Sequence, residues 1–66
     1  MKLNILRIKE LMIEKGLNQR DLAKKSDINE CTLSLILKGN KISRFKTISK
    51  LSKGLEVEVS EIVEEW

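Results

Sequence analysis

Residues 17–39 read LNQRDLAKKSDINECTLSLILKG. Their apolar residues recur at helical spacing in two short runs, with a break between them. Leu22, Ala23, Ile28, Leu33 and Ile36 form the inward set. Ala23 is small where two helix backbones approach closely. Ile28 is an isolated apolar residue just after the turn. Asn18 and Asn29 each stand where a helix N-cap is needed, and a cap side chain accepts from the first-turn amides. Gln19 and Asp21 follow in the first turn of one helix, and Lys24 and Lys25 in its last, as the helix dipole favours. Asp27 is the turn residue. The stretch is therefore a helix-turn-helix.

Outward from this unit the pattern stays helical. A first helix is expected from Asn4 to Lys15, with Asn4 as N-cap and Ile5, Ile8, Leu11 and Met12 inward. Gly16 ends it as a left-handed residue. The helix that begins at Asn29 runs to about Lys38, and Gly39-Asn40 stops it. Asn40–Ser43 is a loop, polar apart from Ile42. A fourth helix is expected from Arg44 to Gly54, capped by Ser43, with Phe45, Ile48, Leu51 and Leu55 inward. A short fifth helix follows, capped by Ser60, with Val59, Ile62 and Val63 inward. Leu55–Glu58 reads as a connector, and its rival is a strand, because Glu56-Val57-Glu58-Val59 alternates with period two.

Sixty-six residues make one domain, taken as 1–66. So short a chain buries only roughly 60% of the surface its unfolded form exposes, so good packing matters. The sequence has no His, and Cys31 is its one Cys. That removes a disulfide framework, a conventional zinc site within one chain and the commonest general base. Cofactors: none. No enzyme, no small-molecule substrate and no membrane span are expected, since no apolar run approaches the ~18 residues a span needs. Met1–Ile8 has no continuous apolar region of the signal-peptide kind, so a cytoplasmic setting is the natural reading.

Net charge is +3, unevenly spread. Residues 1–53 hold all 13 Lys and Arg against five acids; residues 54–66 hold five Glu and no base. A basic body with an acidic end suits a polyanion on one face.

Five blocks carry a resemblance. They are Lys15-Gly16-Leu17-Asn18-Gln19, Asp21-Leu22-Ala23-Lys24-Lys25, Thr32-Leu33-Ser34, Lys38-Gly39-Asn40 and Leu51-Ser52-Lys53-Gly54-Leu55-Glu56-Val57. On these the chain resembles the phage repressor/Cro family, also called XRE-type, from about Ile5 to Val63. The resemblance implies an all-α, compact five-helix, lambda-repressor-like domain whose second and third helices form the helix-turn-helix. It implies a transcriptional regulator of double-stranded DNA, a repressor in most relatives, acting as a homodimer with its third helix in the major groove.

The resemblance also assigns roles. Asn18 and Gln19 match a phosphate-anchoring pair, and Arg20 adds a mobile charge beside them. Lys38, Asn40, Lys41 and Arg44 match a backbone clasp on the other side. Asn29, Glu30, Cys31, Ser34 and Leu35 match the base-reading positions. Here the chain departs from its relatives, which often carry Gln, Arg or Ser. Ionised Glu30 only accepts, and its natural partner is a cytosine amino group. Leu35 suits a thymine methyl, and Cys31 offers a weak donor or an apolar contact. Many relatives hold a buried ion pair where Met12 and Leu37 stand, so these two are expected to pack in the core. Ser26 and Asp27 replace an apolar residue and a Gly.

Two alternatives stay open. The same fold can serve as a protein-interaction module of antitoxin or antirepressor type, with Glu30 and Leu35 meeting protein. Ile13, Ile42 and Trp66 mark either a dimer seam or scattered surface apolars. A lone thiol near a helix N-terminus could also be oxidisable, though Cys31 has no resolving partner.

Overall fold

Asn4 begins the first helix by accepting the Arg7 amide on its Oδ1 at 3.1 Å. In a computed structural model of the chain, residues 2–39 and 44–65 are described. Their order is β1 (Lys2–Leu3), α1 (Ile5–Lys15), α2 (Gln19–Ser26), α3 (Glu30–Leu37), α4 (Phe45–Leu55), α5 (Val59–Ile62) and β2 (Val63–Glu65). The five expected helices form in the expected order. Roles expected for Asn40, Lys41, Ile42, Ser43 and Trp66 lie outside the described residues.

Local chemistry sets the helix ends. Gly16 closes α1 in the left-handed region at φ 66°, where a Cβ would be strained. Asn18 and Asp21 cap α2 reciprocally: each side chain accepts from the other's amide. Asp27 closes α2 left-handed at φ 54°, as the turn residue must. Asn29 caps α3, its Oδ1 accepting the Cys31 amide at 2.8 Å.

One hydrophobic cluster lies under the helices. Ile8, Leu22, Leu33, Ile36, Leu51, Leu55 and Ile62 are fully buried in it. Met12 is buried in the same cluster, and Leu37 packs half-buried against it. Met12 is therefore a core residue, whereas Leu37 lies at the edge of the core, and neither brings a charge to be desolvated. Ile28 is likewise half-buried against the cluster.

The α2–α4 crossing is the broadest helix contact. Gly54 makes it possible. A Cβ at Gly54 would overlap Ser26 Oγ and stand 3.0 Å from Ser26 Cα. The α4 backbone thus lies directly against Ser26, the residue that stands where relatives carry an apolar side chain. Ser26 Oγ is buried there without a hydrogen-bond partner.

Four observations amend the sequence expectations. Lys2–Leu3 pairs antiparallel with Val63–Glu65, a ribbon absent from the helical reading. The Asn4 amide extends it by donating to the Ile62 carbonyl at 2.8 Å. Val63 belongs to β2 rather than to the last helix, while Glu56–Glu58 is the expected connector. Ser60 lies inside α5, with Glu58 at the N-cap position and no side-chain cap. Phe45, expected inward, is 75% exposed. It is the first residue of α4, and the apolar stripe reaches the core only from Ile48 onward.

Exposed ion pairs tie the elements together. Arg7 of α1 pairs with Glu10 and, at 3.6 Å, with Glu61 of α5. Lys25 of α2 pairs with Glu56 at 3.1 Å, and Lys50 of α4 stands 3.8 Å from Asp27. Such exposed pairs contribute little each, about 0–1 kcal/mol.

Candidate nucleic-acid interface

Helix α3 is two-sided. Leu33 and Ile36 are fully buried on one side, whereas Glu30, Cys31, Leu35 and Lys38 are exposed on the other. Cys31 and Leu35 are one turn apart on that outer side, with Ser34 half-buried beside them. Lys38 holds the C-cap position two turns beyond Cys31.

The start of α3 meets the flank of α2 along an open groove. Arg20, Ala23, Lys24, Asp27, Ile28, Asn29 and Glu30 line it. The turn at Asp27 folds α2 and α3 together there, and bonds from the Asp27 and Ile28 amides to the Lys24 and Ala23 carbonyls hold it. Arg20 thus comes to the same surface as Asn29 and Glu30. Lys24 comes there too, one turn after Arg20. Lys24 complements the helix dipole and, through its i, i+4 spacing from Arg20, also shares this surface.

Two caps already spend atoms that a nucleic acid would otherwise meet. Asn18 Oδ1 accepts the Asp21 amide at 2.7 Å. Asn29 Oδ1 accepts the Cys31 amide. Each Asn therefore presents its NH2 group outward as a donor, which suits phosphate oxygen. The first-turn amides of Gln19 and Arg20 have no helical carbonyl within reach, so the α2 end adds backbone donors. Asp21 tempers that end, because its carboxylate sits in the same turn. Gln19 is half-buried and Arg20 exposed.

Arg44 is exposed at the N-cap position of α4 and makes no side-chain cap. Asn40 and Lys41, expected beside it, lie outside the described residues. Among the described residues there is no group of three or more His, Cys, Asp or Glu placed to hold a metal ion. Among them, too, no helix is long and apolar enough to cross a membrane.

Comparison with known proteins fits this arrangement. Residues 7–64 match the family described as the Cro/C1-type HTH DNA-binding domain. The restriction-modification controller protein C.AhdI from Aeromonas hydrophila is similar at TM-score 0.78 and 30% identity, over 86% of this chain and 86% of that one. The wild-type restriction-modification controller protein C.Esp1396I is similar at TM-score 0.73 and 35% identity, over 82% of this chain and 69% of that one. No curated protein sequence matches the chain.

Proposed function

The chain belongs to the Cro/C1-type helix-turn-helix family of DNA-binding domains, and we propose that it regulates transcription, as a repressor, by occupying a specific operator. It works as one domain and acts by occupancy rather than by catalysis. Helix α3 enters the major groove with Glu30, Cys31, Ser34 and Leu35 toward base edges. Asn29 serves beside them as a donor, because its carbonyl oxygen caps the helix. Asn18, Gln19 and Arg20 hold phosphate on one side; Lys38, Asn40, Lys41 and Arg44 hold it on the other. Lys24 joins the first group.

The observation that carries this reading is the two-sidedness of α3. A helix fully buried at Leu33 and Ile36 yet exposed along Cys31, Leu35 and Lys38 is anchored on one side and presents the other to a groove. Two relatives named as restriction-modification controllers support a regulatory role for this chain. A two-fold dimer is part of the proposal. It is supported by Leu6 and Ile13, each 81% exposed on one line of α1.

The test is selection from a random duplex pool at two salt concentrations. An enriched inverted repeat, with half-site centres about 34 Å apart, is the expected result. Arg20→Ala, Lys38→Ala and Arg44→Ala should each weaken all duplexes alike and lower the salt slope by about one. Absence of duplex binding at low salt would overturn the proposal in favour of a protein partner.

A further inference from the structure

We propose that α3 reads thymine through its 5-methyl group, with Cys31 and Leu35 as the readers; this rests on the DNA-binding reading above. Hydrogen-bond readout in the major groove rests chiefly on two bidentate pairings: Arg or Lys with guanine, and Asn or Gln with adenine. The centre of the exposed side of α3 offers neither. It carries no Arg or Gln. Lys38 sits at the far end, at the C-cap. Asn29 cannot take adenine at both ends, because its Oδ1 already accepts the Cys31 amide at 2.8 Å. Glu30 offers acceptors alone.

What occupies the centre of this side is apolar. Cys31 is exposed, and Leu35 is 52% exposed one turn later. Side chains at i and i+4 stand about 6 Å apart, close enough to cover one or two neighbouring base pairs. Of the four bases only thymine presents an apolar group to the major groove. Covering a methyl is therefore the favourable contact open to both side chains. The patch also lies beside the groove to which Arg20 and Lys24 contribute cations and Asp27 and Glu30 carboxylates.

The experiment uses the full chain and the duplex it selects. Each thymine is replaced singly by deoxyuridine, which deletes only the methyl. Binding should weaken roughly fourfold at one or two positions in each half-site, the effect of one buried methyl. At those positions a C·G pair should bind poorly, and 5-methylcytosine should recover part of the loss. Cys31→Ser should erase the methyl dependence at one position and Leu35→Ala at another, with the salt slope unchanged. Indifference to uracil throughout a selected duplex overturns the inference and leaves DNA binding intact. So does methyl dependence that survives in both variants. A chain that selects no duplex removes the DNA reading and this inference together.

Discussion

Ser26 and Gly54 meet where α2 crosses α4, and the fit allows no added carbon. Gly54→Ala should therefore cost about 1–3 kcal/mol through overpacking, measured by urea melts. Ser26→Gly should relieve part of that loss, so the double variant should lose less than the sum of the two. Ser26→Ala alone should be neutral or stabilising, by up to about 1 kcal/mol, because Ser26 Oγ is buried without a partner. Glu56 shows a second residue-level effect. It sits left-handed at φ 58° after α4, where its Oε1 accepts from Lys25 Nζ. That hydrogen bond first, then the Lys25 and Lys15 charges, hold its carboxyl below the ordinary value of 4.5. A lowered folded value means a stabilisation present above pH 4.5 and lost as pH falls through the folded value. Glu56 is exposed, so the effect is small. Glu56→Gln should flatten the acid limb of the stability profile and leave its slope near neutrality unchanged. Neither the Gly54 contact nor the Lys25 partner is readable from spacing, since each joins residues far apart in the chain.

At the scale of the element, the helix ends follow from their own residues. Asn4, Asn18 and Asn29 cap as their positions suggest, and Gly16 and Asp27 take left-handed conformations. Capping is a bond between residues two or three apart, so nothing distant is needed to foresee it. Phe45 illustrates the opposite case. Helical spacing puts it on the apolar stripe, but the stripe runs past the end of the core. Asn29 has two roles that different substitutions separate. Asn29→Ala should cost about 1 kcal/mol of stability by removing the α3 cap. Asn29→Asp should keep the cap and the melting temperature, yet weaken duplex binding by setting a carboxylate against phosphate. Thermal melts beside duplex titrations check both. Equal duplex affinity for Asn29→Asp and the parent would remove Asn29 from the interface.

The whole molecule closes at its ends. Leu3, outside every helix, is 9% exposed and belongs to the main core cluster. The β1–β2 ribbon holds it there, and Arg7–Glu61 braces the neighbouring α1 and α5. Leu3→Ala should lower stability by about 2 kcal/mol, near the low end for a buried Leu, because Leu3 lies at the rim of the core. A denaturant midpoint shifted at constant m would show it. An unchanged midpoint would mean that the ribbon contributes nothing to stability. The charge division follows the same geography: Glu58, Glu61, Glu64 and Glu65 lie on or just before α5 and β2, away in sequence from the Arg20–Lys24 groove.

Five helices, their order, most of their caps and the inward set around Leu22, Leu33 and Ile36 were legible in the sequence alone. So was the two-sidedness of α3, because all of these rest on periodicity and on bonds within one turn. Tertiary structure decided the ribbon, the Ser26–Gly54 crossing and the exposure of Phe45. Each depends on where a distant segment lies, and short-range spacing carries no record of that. The division extends to the interface. The family resemblance, not residue type, proposes Glu30, Cys31 and Leu35 as readers, whereas the Asn29 cap that commits its carbonyl oxygen follows from local sequence.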